Sequence, residues 1–190
     1  MSAKKLIEDH DKWRKGAGGA PAGVAGESDG SSYTGLDLNR ITLTSSNFNG
    51  GGFSTTTFKQ AEWTSCRFDG TYFTKCDLTD ATMTGCSFSG CTFSDCSLEN
   101  MTMTGCNFTG CTFDDVRFQA SQWSDCKLQG GTLKNLKLDQ CRWSKVAFLD
   151  CTGSQVEGSG IQGTQVDFTG SHFQGLHLQN ANINRSCSVA

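Results

Sequence analysis

No apolar run in the 190-residue chain approaches the ~20 residues needed to cross a bilayer, which excludes a membrane-spanning helix. The opening segment, MSAKKLIEDHDKWRKG, lacks the apolar core of a secretory signal, so no cleaved signal is expected. Charge is scarce as well. Charged residues make up 18% of the chain, the net charge is −3 and the pI is near 5.5. A strongly basic nucleic-acid binder is excluded, and direct nucleic-acid binding is not expected. There are only three histidines, two tyrosines and one proline. Apolar residues reach only 36%. Low hydrophobicity leads to disorder when net charge is high, and here it is not. Ser, Thr, Asn, Gln and Gly fill the difference, alongside 13 phenylalanines and 11 cysteines.

The chain divides by composition. Segment 1–15 carries a short amphipathic helix over 4–15. Leu6, Ile7, His10 and Trp13 recur at three- and four-residue spacing and share one face. A helix this short is marginal alone and needs something to dock on, either as a cap for the repeat region or as a handle for a partner. Segment 16–32, GAGGAPAGVAGESDGSS, holds the only proline and reads as a flexible linker. The repeat region spans 33–185, and 186–190 is a tail.

The repeat has a period of five. Every fifth residue from Leu38 to Ile183 is large and apolar at 27 of 30 positions; the exceptions are Gly153, Gly158 and Gly163. Neither a helix nor a strand generates this period. Two residues before the centre, most units carry a small residue. Ten of the 11 cysteines occupy this one phase: Cys66, Cys76, Cys86, Cys91, Cys96, Cys106, Cys111, Cys126, Cys141 and Cys151. Three polar residues per unit face outward.

A period of twenty lies on top. Residues 81–100 match 101–120 at 11 of 20 places. One series of centres runs Phe48, Phe68, Phe88, Phe108, and another holds Trp63, Trp123 and Trp143. Gly50, Gly70, Gly90, Gly110, Gly130 and Gly170 form a third. Four fives make one coil with four sides, with successive coils stacked at the inter-strand spacing of about 4.8 Å. The glycine series then marks one corner, where a tight turn requires positive φ. At the glycine centres either the register holds, with Val156, Ile161 and Val166 reaching inward, or the frame slips by two. The held register is the simpler, because phase returns at Phe168.

This pattern resembles the pentapeptide-repeat family, whose motif is loosely Ala-(Asp/Asn)-Leu-x-x. Cys76-Asp77-Leu78 and Ala181-Asn182-Ile183 stand closest to it, with Cys replacing Ala and Phe replacing Leu elsewhere. Leu6-Ile7-x-x-His10-x-x-Trp13 is similar to the short helix preceding the repeats in many bacterial members. The resemblance implies an all-β fold, a right-handed, four-sided (quadrilateral) β-solenoid. About seven and a half coils would make a rod roughly 36 Å long, preceded by one short α-helix.

No catalytic constellation emerges from the sequence. His172 and His177 fall on successive sides, and no nucleophile–base–orienter set or phosphate loop is present. No enzyme activity and no cofactor are expected. No Cys-x-x-Cys pair occurs, and a straight column of thiols cannot surround a metal ion. The in-phase cysteines read as reduced, buried, small hydrophobes. Cys187, out of phase, is the one accessible thiol expected.

Charge is unevenly distributed along the chain. Asp69, Asp77, Asp80, Asp95, Glu99, Asp114 and Asp115 form an acidic stretch, the candidate partner-binding surface. Arg117, Lys127, Lys134, Lys137, Arg142 and Lys145 form a basic patch after it. The expected role is a non-enzymatic bacterial scaffold binding a protein partner through its outer faces, in the cytoplasm or delivered by a secretion system without a cleavable signal. The resemblance also implies alternatives: a DNA-mimic modulator of a type II topoisomerase, or a secretion-system component or cargo. A helix that could build the family's C-terminal dimer is not expected after the repeats. Outward pairs Thr42/Thr44, Thr82/Thr84 and Thr102/Thr104 suggest an ice-binding face as a remote alternative, interrupted by Glu62, Gln122 and Arg142.

Overall fold

A chain whose large residues recur at every fifth position must turn after each one to keep them all inside. The computed structural model, which describes residues 1–185, shows how it does so. Each unit is a three-residue strand such as Thr42–Thr44, Asn47–Asn49 or Thr82–Thr84, with its centre buried and its flanks exposed. A corner follows. Every residue numbered as a multiple of five from Gly35 to Asn180 has positive φ. The glycine corner expected from the sequence is therefore one of four equivalent left-handed corners, and most of these are not glycine. Asp and Asn tolerate this conformation best, as at Asp80, Asn100 and Asn135. The cost elsewhere is offset by bonding between coils: the corner amides of Lys75 and Ala120 donate to the carbonyls of Ser94 and Asp139 one coil on, at 2.9 and 2.8 Å.

The units stack into a β-solenoid of about eight turns with one short N-terminal helix. Three sides are parallel sheets of nine, seven and eight strands. The first is centred on Leu43, Trp63 and Met83, the second on Phe48, Phe68 and Phe88, and the third on Phe53, Phe73 and Phe93. Partners stand twenty residues apart, as in Thr82↔Thr102 and Phe88↔Phe108. The fourth side pairs at single bridges, Asp37↔Thr57↔Asp77↔Ser97↔Arg117↔Lys137. Here the carbonyls of Phe58, Leu78 and Phe118 accept the amide three residues on, closing a tight turn within the coil.

The linker is shorter than the composition implied. Gly23–Ala25 pairs with Thr42–Thr44, and Ser28–Asp29 pairs with Asn47 and Phe48, so the coil begins at 23 and only 16–22 connect it to the helix. Val24 stands opposite Leu43, a nineteen-residue offset. That one-residue phase break hid the first coil from a strict five-residue count.

The helix, Ala3–Arg14, is capped by Ser2, whose hydroxyl accepts the Lys5 amide. Ala3, Ile7 and His10 are buried against the end of the coil. His10 Nε2 donates to the Asn39 carbonyl at 3.1 Å, while Nδ1 accepts the Ala22 amide at 3.0 Å. Arg14 pairs with Asp37 at 3.2 Å, and the Asp11 carboxylate accepts the Asp37 amide. Trp13 departs from the expected apolar face: it is 42% exposed and packs on the His10 ring.

Inside, the aromatic centres form columns. Phe68, Phe88 and Phe108 stack at 4.8 and 4.7 Å, and Phe73, Phe93 and Phe113 at 4.7 and 4.9 Å, all nearly parallel. Neighbouring columns meet edge to face, as Phe88 meets Phe93 at 5.7 Å. The centres are buried through Phe148, whereas Phe168, Phe173, Leu178 and Ile183 are only partly so.

The register holds through the glycine centres: Leu133↔Gly153↔Phe173 and Trp143↔Gly163↔Ile183 stay in line. A Cβ on Gly158 would stand 2.7 Å from Ile161 Cδ1, and one on Gly163 2.9 Å from Val166 Cγ2. Branched residues at the usually small position fill the space the centres leave.

Candidate protein-binding surface

The ten in-phase thiols are free and buried, so they belong to the interior. They do more there than fill volume. Cys76 Sγ donates to the Phe53 carbonyl at 3.3 Å, and Cys96 to that of Phe73 at 3.3 Å. Thr71, Ser121 and Ser171 hydroxyls make the same bond to Phe48, Leu98 and Phe148 at 2.7–2.8 Å. Where the position carries Cys, Ser or Thr it thus supplies a small donor to a centre carbonyl one coil back, whereas Ala61, Ala81, Val116 and Val146 occupy it without one. The signal in the sequence is that Cys, Ser and Thr share this phase, a choice that small size alone does not explain. Burial pushes the Cys141 thiol up to about 12 and raises that of Cys151. Cys187 lies outside the described residues. Among the described residues no group of three or more His, Cys, Asp or Glu could hold a metal ion.

Folding redistributes the charges. The acidic and basic stretches, separate in sequence, pair across coils. Asp77 meets Lys59 at 2.9 Å, Glu99 meets Arg117 at 2.9 Å, and Asp114 meets Lys134 at 3.1 Å. Lys137 pairs with Glu157, and Lys145 approaches Asp125 at 3.8 Å. The basic patch is not a patch. Arg142 stands on the first side, Lys127 on the second, Lys134 on the third, and Arg117 and Lys137 on the fourth, with Lys145 at a corner. The reason is geometric: residues ten apart in sequence lie on opposite sides of the coil. Asp69 is likewise separated from the other acids, on the second side. Asp80, Asp95 and Asp115 project from corners flanking the fourth side, and the described residues give them no ion-pair partner within 4.0 Å.

Asp77 is the most fixed of these acids. Burial pushes its carboxyl up, but the Thr79 hydroxyl and amide together with Lys59 outweigh burial and hold it below the usual carboxylate range. A depressed folded pKa contributes stability that is present above the unfolded value, about 3.9, and lost as pH falls through the folded one. Asp77→Asn is therefore expected to flatten the acid side of the stability–pH profile below about pH 4. An unchanged acid limb in urea denaturation would contradict this.

The threonine rows are also broken. Thr82/Thr84 and Thr102/Thr104 adjoin in register, but Glu62 and Gln122 stand on either side of them in the ladder. His172 faces out from the third side, its Nδ1 at 3.1 Å from the Gly170 carbonyl, and His177 stands beside Glu157. Among the described residues no helix is long and apolar enough to cross a membrane.

Residues 71–143 match the family model described as a pentapeptide repeat region. No curated protein sequence matches the chain significantly. The fold is similar to that of HetL, a pentapeptide repeat protein involved in heterocyst differentiation regulation in the cyanobacterium Nostoc. The TM-score is 0.61 at 15% identity, covering 96% of this chain and 94% of that one. QnrB1, a plasmid-mediated fluoroquinolone resistance protein, aligns over 84% of this chain and 93% of its own at 15% identity, with a TM-score of 0.46. Residues 71–143 are thus a pentapeptide repeat region, and the same five-residue coil continues on both sides of it.

Proposed function

We propose that this chain is a non-enzymatic scaffold that binds a protein partner on its outer faces. The supporting observation is the division of its side chains. The ten in-phase thiols and the aromatic centres point inward, and the outward polar groups stand in straight rows rather than converging on one point. A rigid stack of coils suits flat, extended contact. The contact surface proposed is the acidic stretch around Asp77–Asp115, and within it the corner acids Asp80, Asp95 and Asp115; Asp69, on the second side, is left out of it. Asp77, Glu99 and Asp114 are already engaged by cations of neighbouring coils. The same pairing disfavours the DNA-mimic alternative, which needs an uncompensated acidic face. The bacterial cytoplasm is the proposed setting.

Affinity capture from the native cell extract tests this reading. A specific protein should be retained at low salt and released as salt rises, because exposed charges act over roughly 8 Å at physiological ionic strength. Asp80→Lys, Asp95→Lys and Asp115→Lys combined should abolish retention. Unchanged retention would refute the surface assignment, and failure to retain any protein would refute the scaffold. Unaltered gyrase supercoiling in the presence of the rod is the expected control result.

A further inference from the structure

Packing changes character at residue 151. Up to Phe148 each coil is joined to the next by large centres stacked on their equivalents. Gly153, Gly158 and Gly163 then remove three consecutive centres. What fills the gaps comes largely from further along the chain: the Phe173 ring leans over the place where a Gly153 Cβ would stand, and Ile161 and Val166 cover Gly158 and Gly163. The fill is incomplete. An apolar void of about 20 Å³ remains, bordered by Leu133, Leu138 and Trp143 on one side and Val156, Phe173 and Leu178 on the other. The second-side sheet ends at Ala147–Leu149; beyond it the side continues without a further strand, through the Ala147↔Asp167 bridge, the Phe148 and Asp150 amides donating to the Asp167 and Thr169 carbonyls, and the Phe168 ring stacked on Phe148.

Beyond this seam the chain coheres with itself. Thr152–Ser159 and His172–Gln179 pair at seven positions, against five between Thr132–Lys137 and Thr152–Ser159. Phe173 and the glycine coil interlock. Counted over all sides, residues 151–184 are paired with one another at as many positions as with the rod before them, and of the four centres at the seam only Phe168, stacked 5.1 Å from Phe148, continues a column.

We propose that residues 151–184 form a discrete opening unit: the rod parts at the glycine coil, and the last coils leave together while the aromatic column up to Phe148 stays folded. Opening uncovers the Leu133, Leu138, Trp143 and Phe148 centres and the strand edges beside them. Local units of this kind, with free energies below the global value, are the usual source of hinged or releasable elements.

Native-state hydrogen exchange of the whole chain across a low-urea series tests the proposal. Amides at 151–184 should exchange at least about a hundredfold faster than those at 86–113 and share one urea slope, the mark of a joint opening. A second readout is chemical. Cys151 sits at the seam, its Sγ held by the Leu128 and Leu149 carbonyls. It should be the first of the ten in-phase thiols alkylated in the native protein, at a rate tracking the 151–184 amides. Gly158→Leu combined with Ile161→Ala, which returns bulk to the centre, should slow that exchange about tenfold and leave 86–113 unchanged. If that variant does not fold, the wild-type exchange and alkylation order still decide. Equal protection at 151–184 and 86–113, unrelated slopes within the unit, or Cys151 alkylated no faster than Cys106 would each overturn the proposal.

Discussion

Phe93→Ala is expected to cost about 3–5 kcal/mol, the range for deleting a large side chain where the surround cannot collapse. Phe93 is fully buried, stacked between Phe73 and Phe113 at 4.7 and 4.9 Å and edge-on to Phe88. A coil cannot shrink to close the gap, because its perimeter is fixed by twenty residues bonded in register to coils on both sides. The removed ring also ends two stacking contacts, each worth about 0.5–1.5 kcal/mol beyond its area. In urea the midpoint should fall with little change in slope. Phe173→Ala, at a half-buried centre near the end of the rod, should cost less than half as much. A loss below about 1 kcal/mol at Phe93 would mean that the column does not carry the stability assigned to it.

The second large effect is chemical. In the native protein the ten in-phase thiols should react with a maleimide or disulfide reagent at least about a thousandfold more slowly than in denaturant. Reaction requires opening, and open fractions in folded proteins are of order 10⁻³–10⁻⁶. Their burial also disfavours the thiolate that does the chemistry. At most one fast thiol, Cys187, is anticipated; several would mean that the interior is not sealed. The donor role makes a further distinction at these sites. Cys111→Ser preserves a donor to the Phe88 carbonyl and should be mild, as Ser121 and Ser171 already stand in equivalent places. Cys111→Leu keeps the apolar character but adds volume and should cost about 1–3 kcal/mol.

The coil was legible wherever a side chain recurs in phase. Phe48, Phe68, Phe88 and Phe108 declare both the five and the twenty, and their inward direction follows from the period alone. The glycine register was legible as well, from the return of phase at Phe168. The first coil was not, because one residue fewer shifts Val24 out of phase and its Gly, Ala and Ser neighbours have linker composition. The left-handed corners were only partly legible. Glycine marked one row, whereas Lys75, Thr55 and Ala120 adopt the same φ for a bond to the next coil that no local sequence feature encodes. Charge misled most. Asp114 and Lys134 stand twenty residues apart in sequence and form an ion pair in space, so stretches read as separate acidic and basic regions are partners.

One continuous coil, turning at every fifth residue, joins each turn to the next by backbone bonds even at its exposed corners. Amide exchange at those corners tests it most directly. Lys75, Asp95, Asp115 and Ala120 carry outward side chains, yet their amides donate to Ser94, Asp114, Lys134 and Asp139 one coil on at 2.8–3.1 Å. These four amides should exchange as slowly as those of the buried centres Phe73, Phe93 and Phe113 beside them. Exchange within seconds, as in solvent-exposed turns, with protection confined to the centres, would contradict it.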